Sequence, residues 1–353
     1  MKALMKALVM SGHGDLSQLE IADVPQPAVT RRHDVLVRLR AASLNHLDLW
    51  TLRGLPGVSL SFPHILGADG AGVVEAVGDG VAHLTPGQRV MLNPGVSCYR
   101  CEYCLSGEHS LCETYGLLGE HLPGTLGEYI VVPDQNVVEI PTPPAPDPEL
   151  TWAEAAAFSL VTLTAWRMLV KRARLLPGET VLVWGVGGGV SSTALRVAKL
   201  IGAYVVVTSS SEEKLARARE LGADATVNHA TQDVVKEFRA VTGRRGADVI
   251  VENVGEATWE RSLRLLDRRG RLVTCGATTG AQVSIDVRRM FWYQWTIMGS
   301  TMGSWQDYRE IVRLLGQGHL RPLIDSTYPL DEAVEAVRRL EQADHMGKIV
   351  VEI

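Results

Sequence analysis

Four cysteines stand close together as Cys98-x2-Cys101-x2-Cys104-x7-Cys112. Thiolates two residues apart in tight turns can converge on one tetrahedral ion, and the last cysteine closes the loop. Four sulfur ligands leave no open coordination position, so the expected ion is one structural zinc rather than a catalytic one. A disulfide pair and an iron–sulfur cluster are the competing uses. A reducing compartment disfavours the first, and the spacing matches neither ferredoxin pattern. A nucleic-acid-binding zinc finger fits poorly, because these cysteines form one loop inside a larger domain.

A second segment carries different chemistry. Val181-Leu-Val-Trp-Gly185-Val-Gly187-Gly188-Gly189-Val190-Ser191 sits where a buried strand turns into a helix. Glycines let the backbone approach a pyrophosphate, and the helix N-terminus offers N–H donors and a positive dipole. The last glycine of the usual fingerprint is absent, replaced by Val190 and Ser191. About 20 residues on, an acidic residue would bind the ribose 2′-hydroxyl of NAD. Here the second strand ends in Thr208-Ser209-Ser210-Ser211, with Lys214 a helical turn later. Hydroxyls and a lysine suit a 2′-phosphate better than a carboxylate would, which favours NADP(H) over NAD(H). The same serines also serve as helix caps.

The elements that must hold these segments follow from the rest of the chain. Its 353 residues suggest two domains, and 46% hydrophobic with 21% charged residues is ordinary for a globular protein. A net charge of −5 without a basic run points away from nucleic acid and anionic membranes. The most apolar stretch, 151–170, is interrupted by Glu154, Thr162, Thr164 and Arg167 and reads as a core helix opened by a Thr151-x-x-Glu154 capping box. The N-terminal MKALMKALVM lacks an h-region and a cleavage site and reads as a first strand, so a cytoplasmic location is expected. Its repeated Met-Lys-Ala-Leu makes Met5 a second candidate start. Residues 5–140 alternate short β-rich runs with Gly/Pro turns, which indicates a mostly β domain. A proline-dense stretch at 141–148 marks a boundary. From Glu179 strands and helices alternate, as in a doubly wound parallel sheet. Helices at Asp307–Leu315 and Leu330–Glu341 and a strand from Lys348 should return to the β domain. The expected division is therefore 1–150 with 298–353, and 151–297.

These motifs resemble the medium-chain dehydrogenase/reductase superfamily, that of zinc alcohol dehydrogenases and quinone oxidoreductases. The resemblance covers essentially the whole chain. It rests on Gly67-Ala-Asp-Gly-Ala-Gly72, the cysteine lobe (about 94–116), Gly185–Ser191, Gly246-Ala-Asp-Val-Ile-Val-Glu-Asn-Val-Gly255, Gly270-Arg-Leu-Val-Thr-Cys-Gly276 and the closing His345-x-x-Gly-Lys348. It implies an α/β protein with a chaperonin-10-like catalytic domain, a Rossmann domain inserted in it, an active site in the cleft between them, and a homo-oligomer. Thr164, Asn253, Val254, Gly276 and Ala277 resemble the residues lining the nicotinamide, and Lys348 joins the cofactor-binding set.

The departures from the family pattern concern its catalytic zinc. Asparagine stands at the first ligand position in Ala42-Ser-Leu-Asn45-His46-Leu47-Asp48, Gly67-Ala68-Asp69 replaces Gly-His-Glu, and the third position falls near Leu160. Leu47 replaces the hydroxyl of the family's proton relay. A catalytic zinc needs about three protein ligands, so its absence is expected unless His46, Asp48 and Asp69 improvise a site. Hydride addition to a conjugated enone or quinone spreads charge that amide donors can stabilise, whereas an isolated carbonyl calls for a Lewis acid. The implied roles are Asn45 orienting substrate or nicotinamide, His46 facing the cofactor phosphates or relaying a proton, and Asp48 orienting them. The remaining cysteine, Cys275, reads as core. Trp50, Trp292, Tyr293 and Trp295 read as core or interface before pocket. An NADPH-dependent reductase of enones, quinones or enoyl thioesters is the leading function. An alcohol dehydrogenase with an unusual metal site and a dinucleotide-binding protein with little catalysis are the alternatives.

Overall fold

The computed structural model describes residues 3–146 and 148–353. The first two residues of the Met-Lys-Ala-Leu repeat, and Asp147 in the proline-dense stretch, lie outside them. The chain forms two compact units, one ending at Leu160 and resuming at Ser304–Ile353, the other Val161–Gly303. The division falls inside the Trp152–Trp166 helix rather than at the prolines. Side-chain and backbone bonds of the helix's first half explain why. Glu154 meets Arg321 at 3.1 Å, Ser159 Oγ meets Tyr308 OH at 2.9 Å, and Leu160 N–H donates to Asp69 at 2.8 Å.

The first unit is organised around a seven-stranded sheet. Its long Asp34–Ser43 strand pairs antiparallel with Asp69–Val77, Tyr129–Pro133 and Lys348–Glu352. Flanked on both edges and covered on both faces, this strand is buried almost throughout, so its apolar run is nearly continuous rather than alternating. On one face Val35, Val37 and Leu39 pack with Val74, Val90 and Ile130. On the other, Ala42 and Leu44 pack with Leu49, Leu52, Leu66, Ile349 and Val351. Each fully buried leucine there contributes roughly 1.5–3 kcal/mol. Val350 pairs with Ser43 and Val351 with Ala42, so the end of the chain does return to the β unit. That register sets Lys348 beside the turn at Leu44 and Asn45.

The second unit holds six parallel strands. Their order in space is Ala225–Asn228, Tyr204–Ser209, Thr180–Val183, Ala247–Glu252, Leu266–Thr274, Thr296–Gly299. This is the doubly wound order with its reversal beside the Thr180–Val183 strand, and a dinucleotide binds at such a reversal. The central valines and isoleucine at 181, 183, 205–207 and 249–251 are fully buried. The sequence reading did not single out Ala225–Asn228 or Thr296–Gly299. Both are short edge strands with half-exposed residues, so neither presents a continuous apolar run.

Among the described residues one helix, Trp152–Arg172, is long and apolar enough to cross a membrane, and 72% of its most apolar window is buried inside the protein. That burial is what a core helix shows.

Candidate functional site

The cysteine lobe comes first because its geometry is self-contained. A short helix, Glu102–Leu105, carries Cys104, and the turns on either side carry the other three cysteines. All four Sγ atoms lie within 4.8 Å of one another, and Cys98 and Cys104 sulfurs are 4.0 Å apart. Zinc–sulfur bonds of about 2.3 Å in a tetrahedron place sulfurs about 3.8 Å apart, and a disulfide would need about 2.05 Å. The thiols fit the metal. Backbone donors converge on them: Cys98 N–H to Cys112 Sγ at 3.2 Å, and Cys101 N–H to Cys98 Sγ at 3.3 Å. N–H donors of Arg100 and Cys101 hold the Cys98 thiol below its ordinary value. Donors from Cys104 and Glu113 do the same for Cys101. Cys112 is lowered despite its burial, and Cys104 is pushed up to about 12 by burial.

The family's other metal position looks different. Asn45 is the extended residue before the His46–Arg53 helix, and it is buried. Asp48 Oδ2 accepts from Asn45 N–H at 2.7 Å, which ties the helix start back to its first turn. Asp48 Oδ1 accepts from Gly67 N–H at 2.9 Å. Gly67 has φ +97°, and a Cβ there would come within 2.7 Å of Thr125 Oγ1, so only glycine allows this turn. The turn delivers Asp69, fully buried, into the same cluster.

Every Asp69 carboxylate oxygen has a partner. Oδ1 accepts from Leu160 N–H at 2.8 Å, while Oδ2 accepts from Asn45 Nδ2 at 3.0 Å and Lys348 Nζ at 3.2 Å. The three positions that the family pattern gives to zinc ligands therefore do come together, but through hydrogen bonds. An amide, an alanine with a lysine-paired carboxylate, and a backbone N–H are a poor donor set for zinc. Among the described residues, the four cysteines are the one group of three or more Cys, His, Asp or Glu side chains close enough to share an ion. His46, Asp48 and Asp69 are not such a group. The residues present do not fit a catalytic zinc.

Lys348 is among the residues expected to bind the cofactor, and the first unit engages it closely. Its ammonium is buried in the first unit and bonds to Leu44 O, Asn45 Oδ1 and Asp69 Oδ2 at 2.7, 2.5 and 3.2 Å. Those bonds use its three donors. Burial lowers its pKa, while Asp69 and Asp48 oppose the shift. Burial likewise pushes Asp48 up to about 6, against its two backbone donors. His46 is exposed, edge-on to Trp50 with ring centroids 5.1 Å apart. Desolvation of its ring, and then the positive Arg53, lower its pKa.

In the second unit, Gly185 takes φ +61° and Gly188 caps the Gly189–Ile201 helix; a Cβ at either would meet open space. That clearance is what a phosphate over the helix N-terminus requires. Gly187 and Val190 belong to the same loop and first turn. Gly185 N–H donates to Thr208 Oγ1 at 3.2 Å, coupling the loop to the next strand end. There Ser209 Oγ accepts from Ser211 N–H and Ser211 Oγ accepts from Lys214 N–H, while Ser210 is exposed. Glu212 is turned aside, accepting from Asn228 Nδ2 at 2.6 Å.

On the far side of the loop stand Asn253 and Val254, which the family resemblance assigns to the nicotinamide, together with Glu252, which it does not assign. Asn253 Nδ2 donates to Ser191 Oγ at 3.1 Å, and Ser191 donates to Trp184 O at 2.9 Å. Fully buried Glu252 accepts from Val254 N–H, Gly255 N–H, Thr258 and Ser262, and so shapes the Asn253–Val254 turn. A carboxylate inside an apolar strand end was the available signal. Gly276 O accepts from Thr274 Oγ1, Ala277 is exposed, and buried Thr164 donates to Met302 Sδ at 3.7 Å. Cys275 is half-buried, with its thiol pushed up to about 12 by desolvation. Trp295 is core, donating to Asp267 O at 2.9 Å, with Tyr293 packed on it, whereas Trp292 is 75% exposed.

Comparison with known proteins identifies the family of both units. A family model for the alcohol dehydrogenase GroES-like domain matches residues 31–142, and one for zinc-binding dehydrogenase matches 189–317. An NAD-dependent alcohol dehydrogenase of Sulfurisphaera tokodaii is 30% identical over 98% of this chain and 99% of its own. An acryloyl-coenzyme A reductase of Metallosphaera sedula is also 30% identical, over 98% and 99%. The crystal structure of an NAD-dependent alcohol dehydrogenase superposes with TM-score 0.93 at 44% identity, covering 99% of this chain and 100% of that one.

Proposed function

Since the chain belongs to the medium-chain dehydrogenase/reductase superfamily, and is an NAD(P)-dependent oxidoreductase of small molecules, we propose that it reduces conjugated enones, quinones or enoyl thioesters with NADPH and no catalytic zinc. One observation carries this reading. At the ligand positions of the family's catalytic metal, Asn45 and Asp69 are consumed by Lys348 and Leu160 N–H, and Ala68 offers nothing.

Bound NADPH supplies the hydride. With no Lewis acid at an isolated carbonyl, the favoured acceptor is one whose negative charge delocalises over a conjugated system. Within the first unit, buried Asn45 and Asp48 fix the start of the His46–Arg53 helix. Exposed His46 is the member of that trio which substrate or a phosphate can reach. The preference for the 2′-phosphate is supported by Ser209, Ser210 and Lys214, and by Glu212 being bound to Asn228. The thiolates of the lobe hold one zinc as a brace. The relative named acryloyl-coenzyme A reductase supports the acceptor class, and those named NAD-dependent alcohol dehydrogenase favour an alcohol instead.

Steady-state oxidation of NADPH and NADH against quinones, enones and acryloyl-type thioesters tests the proposal. Turnover with at least one conjugated acceptor, insensitive to chelation and faster with NADPH, is expected. Alcohol-dependent NAD reduction that dies on chelation would replace it. Tight NADPH binding without any turnover would favour a binding protein.

We further propose self-association through the second unit. Its sheet ends at the half-exposed Thr296–Gly299 edge strand, and Val287, Phe291 and Trp292 nearby are 65%, 65% and 75% exposed. An open edge beside apolar surface is a pairing hazard unless covered. Sedimentation velocity should give a dimer or larger, with Trp292→Glu dissociating it; a wild-type monomer would contradict this.

A further inference from the structure

Asn45 sits between two opposite charges. Its Oδ1 accepts from the Lys348 ammonium at 2.5 Å, and its Nδ2 donates to the Asp69 carboxylate at 3.0 Å and to Ser43 O at 3.3 Å. A flipped amide would point NH2 at an ammonium and a carbonyl oxygen at a carboxylate. Both contacts would then repel, so Lys348 and Asp69 together select one of two sterically equivalent amide states. The lysine is 3% exposed and the aspartate 0%. Desolvating such a pair costs more than packing apolar residues of similar volume, so bulk stability does not account for it. Specifying one arrangement does.

The arrangement reaches the helix that carries His46. Lys348 also holds Leu44 O at 2.7 Å, and Asn45 N–H is bound by Asp48 at 2.7 Å. Leu44, Asn45 and the first turn are thus fixed on one side by the closing strand and on the other by Asp48. We infer that Lys348 is a positioning residue for hydride transfer, orienting the Asn45 amide and the His46 helix start from behind the reacting groups. This rests on the reading of Asn45 and His46 as the reactive edge of their unit.

The test uses the full-length enzyme and whichever conjugated acceptor or alcohol the wild type turns over fastest. Lys348→Met keeps the length and removes the charge. It should lower kcat about tenfold or more, as loss of an orienting partner does, with KM for the nucleotide within about twofold. Lys348→Arg should recover part of the loss. Asn45→Ala should cost little further in the Lys348→Met background. If Lys348→Met fails to fold, the Asp69→Asn/Lys348→Met pair, which leaves no unpaired charge, takes its place. Independently of any acceptor, the Asn45 side-chain amide resonances, identified by their loss in Asn45→Ala, should move on removing Lys348. Unchanged kcat with only a lower Tm, full additivity with Asn45→Ala, or unmoved resonances would overturn the inference. A wild type that oxidises alcohols but reduces no conjugated acceptor would instead defeat the reductase reading while leaving the Lys348 comparison intact.

Discussion

Two positions in one unit carry the superfamily's metal pattern, and they have gone opposite ways. At the lobe, four sulfurs lie within 4.8 Å of each other and take N–H bonds from the loop backbone. At the second position the same kind of convergence survives, yet Asn45, Asp69 and Leu160 N–H close on each other and on Lys348. The difference teaches that geometric convergence and metal chemistry are separable. What decides is whether the converging atoms have lone pairs to spare. The lobe sulfurs take only weak N–H bonds, whereas Asp69 already takes three hydrogen bonds, one of them from the Lys348 ammonium.

The largest effect expected from breaking this contrast is at the lobe. Cys104→Ser removes one of four ligands from a site whose metal is bound only in the folded state. Zinc content should fall below one per chain and stability by more than about 4 kcal/mol, the range of structural metal loss. Thermal denaturation with and without added zinc measures it, and an unchanged, zinc-independent Tm would erase the distinction between the two positions.

A smaller effect is expected at the second position, and it has a sign. Asp48 is raised by burial from 3.8 to about 6. The folded state therefore binds more protons than the unfolded one between those values. The stability this group contributes is fully present below its unfolded pKa and is lost as pH rises through about 6. That difference in pKa amounts to about 3 kcal/mol. Denaturant titrations at pH 4 and pH 7 should show wild type losing more stability than Asp48→Asn over that interval. Parallel curves would mean Asp48 is not held as its burial implies.

Much of this was legible in the residues, for identifiable reasons. The lobe declared itself because four ligands fall in one short loop, where spacing alone fixes convergence. The parallel sheet was readable from buried valine runs such as Val205–Val207, and its edge strands were missed because edge residues need not be apolar. That Asn45 and Ala68 stand at two of the family's metal-ligand positions could be read directly. The role of Lys348 could not. It stands 279 residues from Asp69 in the chain, and the antiparallel pairing of Val350, Val351 and Glu352 with Ser43, Ala42 and Ala41 brings them together. The fate of Asp69 was hidden as well, since its partner at Leu160 is a backbone N–H that every residue type but proline supplies.

The count of zinc in the purified wild-type enzyme tests the central claim most directly, provided that it is made alongside turnover with a conjugated acceptor. One tightly bound zinc per chain, retained while the enzyme reduces that acceptor, is the result expected. Two tightly bound zincs, with activity lost as the second is withdrawn, would contradict it.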